Sequence, residues 1–516
     1  MQSRARYARL LLGLTLVIEI LGRHTVRCQA QTEAPESRQV LSLKDCLRIA
    51  MEKNHSRPAS RFAIAMAEAQ HRQALAAYWP QINVKGGITQ VDEAPNFVFP
   101  ASAMYIPPQS VSIPAGSTTV TIPANAFGPG FPPTKVQIPV SFPGQTVTTN
   151  LQIFPIPAQN VKLFSPTVES VVGDFKWLLA DGGMRRGYRE QAEGAIDAAK
   201  ADSHRTDLEL SDSVVRIYYG AVLARQLRKL GDDTLERMSA TLRVTETLYK
   251  EGSGTVTKAD YLDNKVMVDT VRSVVAPLEK NQASAEAALA YTIGLSWKSS
   301  VQPSDENVPY QPYSGNLDEL VSTAYEFNPD WQKIEAGLRA FEGERRTAFS
   351  GHFPKLGLTG DLHRWWNSYD GGVSTRENRA GWTVGAGVEI PIFDGFLTSA
   401  KVAAVRAKIN QLKEEKLMLR EGIGLQIRDL FLGLAASERA YQASFDAMQA
   451  AKDDRDLTTR AYESGLVATE RVIRVQLQEA LVSAGYYKAA YDHRALQSNI
   501  DLVVGREIEG EFNSKH

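Results

Sequence analysis

Cysteine is nearly absent from this 516-residue chain, which has two, Cys28 and Cys46. A cut after Ala30 would leave Cys46 alone, so no intrachain disulfide could form and cohesion has to come from packing and association. Neither sign of charge is in excess: 58 Lys and Arg stand against 59 Asp and Glu, a net charge of −1. That balance offers no electrostatic ground for a nucleic-acid partner. Long apolar runs are missing from the interior, where no stretch reaches the roughly 18 residues a membrane helix needs. A β-barrel stays open, because its strands need only about 9–11 alternating residues each. Catalytic signatures are missing too: there is no His-Glu-x-x-His, paired Cys-x-x-Cys, Walker loop or nucleophile elbow. No catalytic residue, cofactor or metal is assigned, and the chain does not read as an enzyme. Finally, proline is absent from 188–250 and from 392 to the last residue, so nothing interrupts a helix there.

What is present begins with an export signal in 1–30. Arg4, Arg6 and Arg9 supply a positive start, 10–21 an apolar core blemished by Glu19, and Cys28-Gln29-Ala30 small residues before a cut. An uncleaved anchor is the rival reading. A lipid-modified Cys28 is a third, which Arg27 disfavours because such sites want a small residue there.

An internal repeat organises the rest. Leu43, Asn54, Glu68, Pro80 and Gly86 recur 274 positions later as Leu317, Asn328, Glu342, Pro354 and Gly360. Asp181, Gly182 and Tyr249 recur at a spacing of 213 as Asp394, Gly395 and Tyr462, and Gly294 at 211 as Gly505. Each copy predicts helix, strand, loop, strand, very long helix, turn and helix. The opening helices are expected over 43–78, broken at Pro58, and over 317–349. Strands start after Pro80 and Pro354, where proline removes no ladder donor, with Ile82 and Val84 sharing one side, as do Leu356 and Leu358. Returning strands are expected near 166–178 and 382–392, followed by the turns Asp181-Gly182 and Pro391-Ile-Phe-Asp394-Gly395. These turns read as helix N-caps rather than cation sites, because Asp accepts from free amides there. Helices of about 63 residues follow, roughly 95 Å long at 1.5 Å per residue, a length that implies a coiled coil or helical tube. Gly252, Gly254 and Gly465 can take the positive φ that ends such a helix. The scattered histidines form no ligand set, and His363 with Trp365-Trp366 reads as interfacial aromatic rather than metal chemistry.

The expected boundaries are a first repeat over 41–294, holding a loop at 91–165 and a long helix at 187–250, then a linker at 295–316. A second repeat over 317–508 and a tail at 509–516 complete the chain. The loop at 91–165 has 13 of the 24 prolines and four charged residues, Asp92, Glu93, Lys135 and Lys162. It cannot be helical, and short β or polyproline segments are expected.

Several strings resemble the TolC-type outer-membrane efflux family. They are Leu41-Ser-Leu-Lys-Asp-Cys-Leu-Arg-Ile-Ala-Met-Glu-Lys-Asn54, Ala76-Ala-Tyr-Trp-Pro-Gln-Ile82, Leu178-Leu-Ala-Asp-Gly-Gly-Met-Arg185, Pro391-Ile-Phe-Asp-Gly395 and Tyr462-Glu-Ser-Gly-Leu-Val-Ala-Thr469. Their order and duplication are more specific than any one of them. The resemblance implies an α+β membrane protein: a trimeric 12-stranded β-barrel with four strands per chain, continued by a long α-helical periplasmic barrel. It implies an outer-membrane channel of a tripartite efflux or type I secretion system, a passive exit duct for small molecules or polypeptides. The implied partners are two more copies of the chain, outer-membrane lipid, a periplasmic adaptor and, through it, an inner-membrane transporter. The tips Gly252, Gly254, Thr257, Gly465 and Thr469 would meet the adaptor. In that family acidic residues narrow the entrance six and nine positions past the second tip glycine; here those positions are Arg471 and Arg474, while six past Gly254 is Asp260. The chain thus departs from the acidic pattern, and a cationic constriction of Arg471 and Arg474, paired with Asp260, is expected. The alternative is that both arginines pair on the outer surface of the tube. The loop at 91–165 is expected outside the cell, as a lid or a binding surface. A pore-free periplasmic scaffold or adhesin is the rival function.

Overall fold

The structure is a computed structural model that describes residues 39–90, 92, 167–252, 256–367 and 380–506, with the backbone of the strands between 98 and 160. The export signal expected at 1–30, Gly254 and the tail at 509–516 lie outside the described residues. After a short strand β1 (Gln39–Leu41) come helices α1 (Leu43–Lys53) and α2 (Ser56–Ala76), then strand β2 (Gln81–Gln90). The insert carries strands β3 (Val98–Phe99), β4 (Ser102–Tyr105), β5 (Gln109–Ile113), β6 (Gly116–Ile122), β7 (Val136–Phe142), β8 (Gln145–Thr149), β9 (Ile153–Ile156) and β10 (Gln159–Asn160). Strand β11 (Thr167–Ala180) returns, followed by α3 (Met184–Lys250), α4 (Lys258–Thr292) and β12 (Val301–Pro303). The second half repeats the order with α5 (Leu317–Phe327), α6 (Pro329–Phe349), β13 (Lys355–Asn367), β14 (Ala380–Glu389), α7 (Leu397–Glu463) and α8 (Thr469–Val504).

Helices α3 and α7 have 67 residues each, about 100 Å at 1.5 Å per residue, and α3 starts three residues before the expected 187. They are held laterally rather than by a compact core. Two apolar clusters sit where the halves meet: Leu47, Val214, Tyr218 and Leu289 in one, Ile334, Leu419, Ile427 and Ile500 in the other. The linker crosses there, and β1 pairs in parallel with β12.

Both opening helices break at an asparagine, not at Pro58. Pro58 lies in the first turn of α2, where the amide it lacks has no partner anyway. Asn54 and Asn328 leave the helix at ψ 129° and 124°, and Pro329 opens α6 in its first position. The continuous helix expected over 317–349 is therefore two, because an X-Pro step disfavours the helical conformation at X. Conversely α4 runs through Pro277; flanking packing outweighs one missing hydrogen bond.

One sheet holds the strands that flank the helices, in the order β14-β13-β11-β2, all antiparallel. Among the described residues its two outer strands, β2 and β14, have no further strand partner within a single chain. No helix of the described residues is long and apolar enough to cross a membrane.

Candidate functional site

The sheet has two chemically different faces, because side chains alternate along every strand. One face carries Ile82, Val84, Phe175, Trp177, Leu358, Leu362, Trp382, Val384 and Val388, brought into line by the register that opposes Ile82 to Phe175 and Leu362 to Trp382. This apolar face is open: Ile82 is 72% exposed, Val84 73% and Val384 71%. The other face carries Asn83, Lys85, Asp174, Lys176, Thr359, Asp361, His363 and Thr383. Its groups pair among themselves. Lys85 Nζ lies 2.9 Å from Asp174 and Asn83 donates to Asp174 at 3.1 Å, while His363 Nδ1 lies 2.8 Å from Asp361. Aromatic side chains rim the apolar band at the helix end, with Trp79, Phe393 and Phe396 all over 70% exposed. At the other end Trp366 carries Arg364 over its ring, while Trp365 turns to the polar face and stacks on His363. An outward apolar band bounded by aromatic girdles over a polar inner wall is what a barrel wall in lipid requires.

At the strand-to-helix turns the N-cap positions fall on Gly183 and Phe396, two residues after the aspartates, whose carboxylates reach forward to amides of the first turn. Pro80 and Pro354 precede their strands by one residue. Asp181 accepts from the Gly183 amide at 3.0 Å and the Arg185 amide at 2.9 Å, and the Arg185 guanidinium returns to the same carboxylate and to the Leu178 and Leu179 carbonyls. Asp394 accepts from the Thr398 amide at 2.9 Å and from its hydroxyl. The Thr398 hydroxyl and amide hold the Asp394 carboxyl below its ordinary range. Gly182 and Gly395 have φ of +62° and +66°. Pro391 lies exposed just before the second turn. Phe396, at φ +66°, takes the left-handed place that Gly183 fills in the first half, alone among the described non-glycine residues.

At the far ends, Gly252 (φ +67°) and Gly465 (φ +71°) terminate α3 and α7. Gly465 donates to Tyr462 and Leu466 to Ala461, both at 2.9 Å, which satisfies the last carbonyls of α7. The two tips then differ. Thr257 caps α4: its hydroxyl accepts from the Asp260 amide at 3.2 Å, and Asp260 accepts from the Thr257 amide at 2.8 Å. These bonds depress the Asp260 carboxyl below its usual value. At the second tip Ala468 holds the cap position without a side-chain bond, and Thr469, the first helical residue, donates to the Tyr462 hydroxyl at 3.3 Å.

The structure does not bring Asp260 to Arg471 or Arg474 within one chain. Its carboxylate is committed to Thr257. Arg471 instead donates to both oxygens of Asp454 on α7 at 3.2 Å, and Arg474 to Glu470 one turn back. Each arginine thus carries a counter-charge from its own hairpin, in exposed pairs that contribute little stability.

Two arrangements had no sequence signal strong enough to single them out. Glu479, 3% exposed, lies 3.0 Å from Arg237 and 3.5 Å from Arg455, joining α8 to both long helices in the tip-side part of the hairpins. At the junction of the halves, the Asn54 side chain donates to the Thr292 carbonyl and that of Asn328 to the Val503 carbonyl, each at 2.8 Å. The repeat alignment had paired these asparagines, but not with the helix ends they hold.

The sequence profile of the family described as "Outer membrane efflux protein" matches residues 142–295 and 320–506. Nodulation protein T of Rhizobium leguminosarum bv. trifolii is 22% identical over 335 residues, 64% of this chain and 70% of that protein. A membrane protein from Pseudomonas aeruginosa overlays with a TM-score of 0.66 at 16% identity, covering 91% of this chain and 92% of the other. The CmeC outer membrane channel of Campylobacter jejuni overlays with a TM-score of 0.65 at 12% identity, covering 92% and 90%.

Proposed function

Because the chain belongs to the outer membrane efflux protein family, we propose that three copies join their sheets into one twelve-stranded barrel and their helices into a tube beneath it. The protein is an outer-membrane exit channel for tripartite efflux or secretion, seated in the outer membrane with a helical extension into the periplasm. The observation that carries the trimer is the sheet itself: four strands, an open apolar face, and two unpaired edges. Unpaired strand edges are not viable in lipid, and four strands cannot close on themselves, so copies must supply the missing partners. The long helices support the same reading. Met418, Leu425 and Leu432 recur every seven residues on α7 and stay exposed within one chain, a coiled-coil spacing awaiting a neighbour.

In this reading the two halves descend from one duplicated unit, spanning 41–294 and 317–508. The tips around Gly252, Thr257, Gly465 and Thr469 receive the helical hairpins of a periplasmic adaptor, through which an inner-membrane transporter supplies the energy. Arg471 and Arg474 line the constriction at those tips as paired rather than bare charges. Transport through the duct is passive, and small molecules or polypeptides are the cargo. A pore-free scaffold would have no use for an open apolar sheet face. The test is the purified protein in detergent and in a planar bilayer. A trimeric native mass with a steady single-channel conductance supports the reading, and a monomer that passes no current contradicts it.

A further inference from the structure

The polar wall of the sheet is ordered in rows, because the register sets one residue of each strand level with the next. Asn83, Asp174, Asp361 and Thr383 form one row across all four strands. Two carboxylates therefore stand directly opposite each other on β11 and β13, an arrangement that repels unless each is compensated. Compensation comes from the next row away from the helices, which reads Lys85, Val172, His363 and Gly381. Lys85 Nζ lies 2.9 Å from Asp174, and His363 Nδ1 lies 2.8 Å from Asp361. The two bases hold equivalent places with different chemistry. A lysine keeps its charge through the neutral range, whereas an imidazole changes charge between about pH 5 and 8.

The imidazole is held from several sides. A carboxylate only accepts, so Nδ1 carries the proton of the neutral ring and Nε2 receives the titrating one. Thr383 donates to the other oxygen of Asp361, which fixes the carboxylate that orients the ring. Trp365 stacks on the imidazole with centroids 4.6 Å apart, a contact that suits a cation over an aromatic face. On β14 Gly381 leaves the space that the ring fills: a Cβ there would lie 2.9 Å from Nε2. The His363 and Asp361 side chains are 19% and 20% exposed, so water reaches them to exchange the proton.

The charge of the surrounding wall makes that proton count. Around the ring stand Asp361 on its own strand, Asp174 and Lys176 on β11, and Lys85 on β2, while β14 brings Gly381 and Thr383. Lys355 and Glu389 oppose each other at the helix end of the same face. Among the described residues of this face, three lysines thus balance three carboxylates. A neutral His363 leaves the wall balanced, and a protonated one makes it positive by one charge per chain.

We propose that His363 sets the ion preference of the barrel: the imidazoles of three chains form a ring that leaves the lumen wall neutral above the histidine range and anion-preferring below it. This rests on the barrel reading above. Rings of one sign select ions of the other. Their reach depends on salt, about 10 Å at 0.1 M and about 30 Å at 0.01 M ionic strength, so the preference in acid is stronger in dilute salt. The helix tips do not give the same response, because Arg471 pairs with Asp454 and Arg474 with Glu470, and arginine and carboxylate side chains ordinarily titrate outside that range.

Reversal potentials of the full-length protein in a planar bilayer, under a potassium chloride gradient at about pH 5.5 and about pH 8, test this. The chloride-to-potassium permeability ratio is expected to rise roughly twofold in acid, and further in dilute salt. His363→Gln should lose that rise. His363→Lys should hold the acid ratio at both pH values, and it covers a glutamine variant that does not assemble. A rise that persists undiminished in either variant overturns the proposal, as does a native ratio that does not move with pH; both results leave the channel standing. A native protein that passes no current overturns the barrel reading and the proposal with it.

Discussion

Phe396 is held in a conformation that its counterpart Gly183 adopts without strain, at φ +66° against +93°. A left-handed L-residue costs about 1–2 kcal/mol. Its ring is 72% exposed and packs edge-on against Phe393 with centroids 5.5 Å apart, beside the apolar band where an aromatic anchors to the membrane interface. Strain and anchoring therefore oppose each other at one residue. Phe396→Gly is expected to raise the melting temperature of the detergent-solubilised protein while lowering the fraction assembled in the outer membrane; heat denaturation and membrane fractionation read the two effects. Titratable groups give a second prediction, with opposite signs at two carboxyls. Bonds from Thr257 depress Asp260, so its cap is fully present above the ordinary carboxylate range and is lost as pH falls through the lowered value. Burial raises Asp212 despite Arg216 and Ser498, so the folded state binds its proton more tightly and stability falls as pH rises above the ordinary range. Hydrogen exchange at the start of α4 should quicken in acid and lose that acid dependence in Asp260→Asn. Asp212→Asn should flatten the neutral-side decline in melting temperature.

At the scale of elements, periodicity and punctuation were legible and lateral commitments were not. The proline-free stretches marked both long helices, and the aspartate-glycine pairs marked the turns, because each signal is local in the chain. The break at Asn328 was missed although Pro329 follows it, since the apolar period runs on across the junction. What fixes that break is remote: a Cβ on Gly505 would sit 2.5 Å from the Phe327 carbonyl oxygen, as one on Gly294 would sit 2.6 Å from that of Lys53. The closing helix of each half thus docks its terminal glycine against the asparagine break, which only the folded chain displays. The tip arginines teach the same lesson. Counting from Gly465 found Arg471 and Arg474, but Asp454 is 17 positions from Arg471 and approaches it only when the hairpin closes. Pairing makes a definite expectation for the proposed constriction. Arg471→Glu places a carboxylate opposite Asp454 and turns a balanced ring acidic, so the bilayer reversal potential in a salt gradient should shift toward cation selectivity; an unmoved potential would place these residues off the ion path.

For the whole molecule, a single chain is half of a solution. Its apolar sheet face, its two unpaired edges and the seven-residue stripe on α7 are each costly alone in water; in the proposed assembly lipid covers the face, and neighbouring chains cover the edges and the stripe. That incompleteness was readable from four short strands next to helices far longer than one domain needs. The central claim is that β2 of one chain lies beside β14 of the next around a closed ring of three. Disulfide scanning in outer membranes measures it directly, with cysteines placed singly along β2 and β14 after Cys28→Ser and Cys46→Ser. Closure predicts oxidation products that stop at a covalent trimer at matching positions. A ladder running past three chains, or no cross-link at any pair, would contradict it.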